Sequence, residues 1–304
     1  MSTLKHIHFI TNPMGGVGDN LALARDALAF FGKHGIHGSI HPTQHPGQAI
    51  DLAATLPLDP ASLICAIGGD GTMHEVINGV MRRSAPSDSN VALLPGGTGN
   101  SVMEDLGLLK LQAAMQAILE GSPKKIDLIR TELDGSVQYA FNLCGWGMMA
   151  RGNERAEAMR WLGRGRYHVA GLLEIMEARS LQARLEIEGQ PKAEDHYALV
   201  VATNSRIIGK GMRVAPNARM DDGKMDLLLV KKAGRWALAH LFARLHRGTH
   251  IHHPLMHYIQ VNELKLESHQ PVAWNVDGEV RRATKAALKV LPGRLNWWLP
   301  DDGD

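Results

Sequence analysis

Five apolar residues, Leu63 to Ile67, run without a break into Gly68-Gly69-Asp70-Gly71-Thr72. Behind that turn, Met73, Val76, Ile77, Val80 and Met81 recur at helical spacing. The pattern reads as a buried strand, a tight glycine turn and an amphipathic helix. In a doubly wound sheet such a strand delivers its turn to the carboxyl edge, where ligands bind. Glycines there let backbone approach a ligand with no Cβ in the way. The helix N-terminus that follows presents free N–H groups and a partial positive charge, which suits phosphate. Asp70 would repel phosphate unless a cation or a transferable proton sat beside it. The plainer alternative is a structural turn in which Asp70 or Thr72 caps the helix.

The same grammar repeats along residues 4–123. Leu4 to Ile10 read as a strand, Thr11-Asn12-Pro13-Met14-Gly15-Gly16 as a turn, and Leu21, Ala24, Leu28 and Phe31 as one face of a helix. A second strand starts at Gly38 and runs out into His41-Pro42-Thr43, and Gln48 to Leu56 suit a short helix. Val91 to Leu94 form another strand, ending in Pro95-Gly96-Gly97-Thr98-Gly99-Asn100-Ser101. Leu111, Met115, Ile118 and Leu119 mark a last helix, closed by Gly121-Ser122-Pro123. Alternating strand and helix argues for a parallel sheet, with the three polar glycine turns along one edge. One such turn is weak evidence for a phosphate site; three together are strong.

After Pro123 the pattern changes. Lys125–Leu133, Gln138–Cys144, Ala183–Glu188, His196–Thr203, Met225–Val230, Tyr258–Glu267, Val272–Val276 and Ala286–Leu291 read as strands, several with the alternation of half-buried antiparallel sheet. Asp134-Gly135 is a hairpin signal. The expected architecture is an α/β domain with a parallel sheet over residues 1–124 and an antiparallel β-sandwich or barrel over 125–304, with the last residues free to return to the first domain. A chain of 304 residues fits two domains.

A net charge of +2 is too balanced to argue for a nucleic-acid partner. Cys65 and Cys144 both sit in apolar runs and are expected to be buried free thiols of a reducing compartment. No apolar run reaches the ~18 residues of a membrane span, and the N-terminus lacks the apolar core of a secretory signal. These point to a cytoplasmic protein. Peripheral membrane contact stays open, because two segments are basic and amphipathic: a helical insertion near residues 151–180, with Arg151, Arg155, Arg160, Arg164, Arg166 and Arg179, and residues 233–247, with Arg235, Arg244 and Arg247. His6 and His8 alternate along the first strand without an evident third metal ligand, and the tract from His246 to His257 has no zinc spacing. Asn78 stands where a His-Glu-x-x-His motif needs its second His.

Neither a P-loop nor a Gly-x-Ser-x-Gly elbow is present. Two acidic segments remain. Arg219-Met220-Asp221-Asp222-Gly223-Lys224-Met225-Asp226 packs three acids around a glycine turn, which suits a hard cation or a plain Asx turn. Asn275-Val276-Asp277-Gly278-Glu279 closes a strand with two carboxylates, which suits a general base or metal role in phosphoryl transfer, or else a simple hairpin.

Taken in order, Asn12-Pro13, Gly68-Gly69-Asp70-Gly71-Thr72, Pro95-Gly96-Gly97-Thr98-Gly99-Asn100, Asp221-Asp222-Gly223 and Asp277-Gly278-Glu279 resemble the diacylglycerol kinase catalytic-domain superfamily, which includes bacterial lipid kinases, sphingosine kinases and ceramide kinases. Met73-His74-Glu75-Val76 and the run from Arg160 to Tyr167 look closer to the sphingosine and ceramide kinases. Ser101 stands where many members carry Asp.

The resemblance implies an NAD kinase-like fold and an ATP-dependent, Mg²⁺-requiring kinase acting on a hydroxyl of a long-chain lipid: diacylglycerol, a sphingoid base or ceramide. It implies ATP in a cleft between the domains, held by Asn12, Pro13, Met14, Gly15, Gly16, Thr43, Gly68, Gly69, Gly71, Thr72, Met73, His74, Gly97, Thr98 and Asn100. Asp70, Asp277 and Glu279 would be catalytic, and the Asp222 turn, with the carbonyls of Arg219 and Lys224, would hold a structural Mg²⁺. The implied partner is a lipid presented at a membrane surface; a homodimer stays open. An NAD kinase-like nucleotide kinase and a non-catalytic lipid or nucleotide sensor are the alternatives.

Overall fold

A computed structural model describes residues 4–16, 18–209 and 211–300. Val17 of the first glycine turn lies outside the described residues, as do the side chains of Arg160 and Arg164. The chain divides into two units, Met1–Asp127 with Gly293–Asp304, and Leu128–Pro292.

In the first unit the order is β1 (His6–Thr11), α1 (Asn20–Lys33), β2 (His37–Pro42), α2 (Gln48–Thr55), β3 (Ser62–Gly68), α3 (Asp70–Val80), β4 (Asn90–Pro95), α4 (Ser101–Asp105) and α5 (Leu111–Glu120). The strands pair in parallel in the order β2-β1-β3-β4, and Asn296 and Trp297 of the chain's last strand pair in parallel with Asn90 and Val91. All of β3 is buried, which is why its sequence shows no polar alternation. Helix α1 packs with α5, and α2 with α3, so helices cover the sheet. Asp19 caps α1, its carboxylate accepting the N–H groups of Leu21 and Ala22.

In the second unit the strands are antiparallel: β5 (Ser122–Leu133, entered from the first unit), β6 (Ser136–Ala140), β7 (Leu143–Gly147), β8 (Leu181–Ile187), β9 (Gln190–Pro191), β10 (Asp195–Thr203), β11 (Met225–Lys231), β12 (Met256–Val261), β13 (Glu263–Val276) and β14 (Glu279–Leu299, which runs back into the first unit). Strands β7 and β8 each pair with both β10 and β13, so these four close a hydrogen-bonded circuit around a core in which Trp146 and Trp274 stand in register. Asp134 and Gly135 both have positive φ, the conformation that a two-residue hairpin turn demands. Helices α6 (Met148–Ala158) and α7 (Arg166–Glu177), joined by a 3₁₀ segment, form the insertion, and α8 (Arg235–Arg244) packs on α7.

Two strands expected to be continuous are each divided. Gln138–Cys144 breaks at Phe141-Asn142, where Asp277 takes the backbone N–H groups that a ladder would have used. Tyr258–Glu267 breaks at Asn262, where the chain leaves β11 for new partners in β8 and β14. Val272–Val276 is not separate but ends β13, after an irregularity in register beyond Glu267. Both cysteines are buried and free. Among the described residues no helix is long and apolar enough to cross a membrane.

Candidate active site

Strand β3 lies between β1 and β4, all three parallel, so their following turns leave the same edge of the first unit's sheet. There they pack backbone on backbone. Gly96 N donates to Gly68 O at 2.8 Å, and Asp70 N to Gly99 O at 2.9 Å. A Cβ on Gly97 would lie 2.4 Å from both Cα and N of Gly69. One on Gly69 would lie 2.3 Å from Gly99 O, and one on Gly16, whose φ is +86°, 2.1 Å from Gly96 O. Gly71 is different, because a Cβ there meets nothing within 4 Å. That open space lies over the first turn of α3, where free N–H groups and the helix dipole favour an anion.

The first turn is held from within. Asn12 Oδ1 accepts Met14 N–H at 3.0 Å, and Asn12 O accepts Gly15 N–H at 3.1 Å. The buried Asn20 amide donates to the carbonyls of Asn12 and Gly15 at 2.9 and 2.8 Å. Thr43, at the end of β2, donates its N–H and its hydroxyl to Thr11 O. Met14 and Thr98 are exposed, and Asn100 donates its amide to Gly97 O. The Thr72 side chain sits against Gly68. The side chains of Met73 and His74 lie in the core, on the same buried side of α3 as Val76, Ile77 and Val80, with His74 Nε2 3.3 Å from the Asn78 amide.

Asp70 is the first residue of α3. Both of its carboxylate oxygens approach the N–H of Ser101 at the start of α4, at 3.1 and 2.9 Å. The backbone of residue 101 makes this bond, so Ser in place of Asp leaves it intact.

The Asp277 turn of the second unit is built otherwise. Asp277 is buried with φ +51°, and its carboxylate accepts the N–H groups of Phe141, Asn142 and Leu143 at 3.0, 3.0 and 2.8 Å. Buried polar side chains extend the network: Thr203 Oγ1 and Asn204 N donate to Asn142 O, and Ser205 Oγ to Asn142 Oδ1. Gly278 N donates to Asn275 Oδ1, and the Asn153 amide donates to Gly278 O. Glu279, two residues on, is exposed at the start of β14. One acid of the pair is thus an anchor, with its oxygens engaged, and the other faces solvent.

At the Asp222 turn, Asp222 Oδ1 accepts Lys224 N–H at 3.0 Å and Oδ2 accepts the Gln260 amide at 3.2 Å, which is Asx-turn geometry. The Arg219 guanidinium pairs with Asp221. Asp226, the third acid of this segment, is fully buried, accepts the Tyr258 hydroxyl on one oxygen and has no hydrogen-bond partner on the other. Burial first, then the nearby Asp222 charge, raises its carboxyl above the usual range. An acid in this setting fits either a proton or a shared hard cation.

Comparisons with known proteins bear on the family and the fold. Residues 6–131 match the diacylglycerol kinase catalytic domain, and residues 143–298 match the YegS C-terminal NAD kinase beta sandwich-like domain. A diacylglycerol kinase of Staphylococcus carnosus (strain TM300) is 29% identical over 303 residues, covering 98% of this chain and 96% of that protein. Among solved structures, a diacylglycerol kinase from Bacillus anthracis str. Sterne shares the fold, with a TM-score of 0.69, 20% identity and 98% of each chain covered. An NAD kinase from Archaeoglobus fulgidus in complex with ATP shares it more distantly, with a TM-score of 0.50, 9% identity, and 97% of this chain and 93% of that one covered. Matched along both of its units, the chain belongs to the diacylglycerol kinase catalytic-domain superfamily and is a kinase with an alcohol group as acceptor.

Proposed function

We propose that the chain transfers the γ-phosphoryl group of ATP to a hydroxyl of a long-chain lipid, whether diacylglycerol, a sphingoid base or ceramide. The observation that carries this reading is the sheet edge where three glycine turns pack backbone on backbone, with Asp70 pinned to Ser101 N–H beside open space at Gly71. The ATP in the distantly similar NAD kinase supports the choice of phosphoryl donor.

Phosphoryl transfer asks for positioning and charge stabilisation more than covalent chemistry. The first turn of α3 would receive the phosphates, with Asn12, Met14 to Gly16, Thr43 and Thr98 framing them. Asp70, fixed by Ser101, would orient the acceptor hydroxyl or a catalytic Mg²⁺. Glu279 would take the hydroxyl proton, while Asp277 holds the turn that presents it. Mg²⁺, when bound, supplies neutralisation of the phosphate charge. Asp222 and Asp226 suit a second, structural cation.

The test is labelled ATP with diacylglycerol, sphingosine, ceramide and monoacylglycerol in mixed micelles. A labelled, Mg²⁺-dependent phospholipid is expected, and Asp70→Asn should cut its rate by about a hundredfold or more. Label on NAD alone, or wild-type turnover by Asp70→Asn, would overturn the reading.

A further inference from the structure

Helix α7 carries an apolar stripe that the protein leaves uncovered. Val169, Leu172, Leu173 and Met176 recur at i, i+3, i+4 and i+7, and are exposed by 37%, 53%, 40% and 64%. The opposite face, with Ala170, Glu174 and Ile175, is buried, so the helix is apolar on its solvent side as well. Single exposed apolar residues need no explanation, whereas a contiguous stripe does. Two tryptophans bracket it. Trp161, just before α7, is 80% exposed, and Trp236 of α8 is 84% exposed. His168 stacks on His246, and Gly171 abuts Phe242, so α7 and α8 run antiparallel and Trp236 falls level with the Met176 end.

Charge identifies the occupant. From Leu227 to Asn262 there is no Asp or Glu, while Lys232, Arg235, Arg244 and Arg247 occur there, besides Lys231, which pairs with Asp195. The acids between Met148 and Ser180 are all paired with arginine: Glu154 with Arg282, Glu157 with Arg166, Glu174 with Arg151 and Arg155, and Glu177 with Arg155 and Arg179. An exposed apolar stripe with tryptophans at its ends, on a helix pair whose surplus charge is positive, has the make-up of an interfacial helix.

We propose that the α7–α8 face docks on an anionic lipid bilayer, with Leu172, Leu173 and Met176 entering the acyl boundary and Arg235, Arg244 and Arg247 meeting the headgroups. Docking itself stands apart from the kinase reading; only its consequence for turnover rests on it.

The experiment is co-sedimentation of the full chain with phosphatidylcholine vesicles, with and without phosphatidylglycerol, without nucleotide. Binding that needs phosphatidylglycerol and weakens in high salt is expected, with quenching of tryptophan fluorescence by brominated lipid that Trp161→Phe/Trp236→Phe removes. Leu172→Glu/Met176→Glu, on the exposed side, should lower vesicle affinity by at least roughly tenfold with an unchanged melting temperature. If the lipid-kinase reading also holds, this variant keeps its rate on a water-soluble short-chain acceptor and loses it on vesicle-borne lipid. No wild-type binding at low salt, or undiminished binding by the variant, overturns the proposal. So does sedimentation showing a wild-type dimer that the variant converts to monomer, because a second copy would then cover the stripe.

Discussion

The glycine edge of the first unit and the Asp277 turn of the second solve the same problem, holding a carboxylate in a fixed place, by opposite means. Around Asp70 the scaffold is backbone against backbone, with glycines at 16, 69 and 97 because a Cβ would strike a neighbouring main chain. Around Asp277 it is a buried side chain that satisfies three main-chain N–H groups, with Asn142, Thr203, Asn204 and Ser205 behind it. Change is therefore tolerated differently. Adding atoms harms the first region, whereas removing polar partners harms the second.

The two acids of the Asp-Gly-Glu turn give the sharpest division. Glu279→Gln should lower kcat by about 10²–10⁴-fold, the usual loss of a general base, and leave unfolding in urea unchanged, because the side chain is exposed. Asp277→Asn keeps the left-handed backbone that Asn tolerates. It sets an amide NH₂ against buried N–H donors, so about 2–4 kcal/mol of stability should be lost, a few unsatisfied groups' worth. If Asp277→Asn left stability intact and Glu279→Gln unfolded the chain, the assignment of anchor and base would be reversed.

The glycine edge is probed by adding a methyl. Gly97→Ala must displace Gly69 backbone and should cost about 3 kcal/mol, the upper range for overpacking. Gly71→Ala meets nothing, so its melting temperature should stay at the wild-type value while its Kd for ATP rises, because the methyl enters space proposed for phosphate. Calorimetry of the two variants separates scaffold from site. A destabilised Gly71→Ala with normal ATP affinity would break the distinction.

Acid should separate the units further. On β1 and β2 of the first unit, His8 Nδ1 lies 3.3 Å from His41 Nε2, and both approach the Ser39 hydroxyl. Burial, then the neighbouring His6 and His41, lowers His8 to about 4 from 6.5. Between those values the unfolded chain binds a proton that the folded one refuses. Stability is therefore full above pH 6.5 and falls toward pH 4, by about 2 kcal/mol allowing for relaxation. Asp226 of the second unit has the opposite sign: its raised carboxyl is protonated first in the folded state, so acidification favours folding there. His8→Leu should flatten the slope of urea stability between pH 7.5 and 5; an unchanged slope would remove His8 as its source.

The contrast also explains what could be read from the sequence. Backbone-on-backbone packing admits one residue type, so the turns at 12–16, 68–72 and 95–100 announce themselves as glycine runs after apolar strands. Asn20 and Thr203-Asn204-Ser205 carry no such mark, and the acid run at 221–226 does not show that Asp226 is its buried member. Each is an ordinary residue at the end of an element, and its importance lies in partners brought to it by folding: Gly15 for Asn20, Asn142 for Ser205, Tyr258 for Asp226. Alternation shows which face of a strand is buried but not where the strand changes partner, so the breaks at Phe141-Asn142 and Asn262 were invisible.

The cysteines give each region its own reporter, with the smallest perturbation. Cys65 lies in β3, three residues before Gly68, and Cys144 lies in β7, one residue after Leu143, whose N–H Asp277 holds. Burial pushes both thiols well above their ordinary range, so neither is reactive while its strand is closed. Labelling by a thiol reagent then follows local opening, which differs between regions of one protein. With Cys144→Ala and Cys65→Ala backgrounds isolating each thiol, Gly97→Ala should accelerate labelling at Cys65 more than at Cys144, and Asp277→Asn should do the reverse. Lowering the pH should raise the opening of the Cys65 strand relative to the Cys144 strand, after correction for thiolate fraction. Equal acceleration of both thiols by either substitution would mean that the units open together. The glycine edge and the Asp277 turn would then share one cooperative transition despite their different construction.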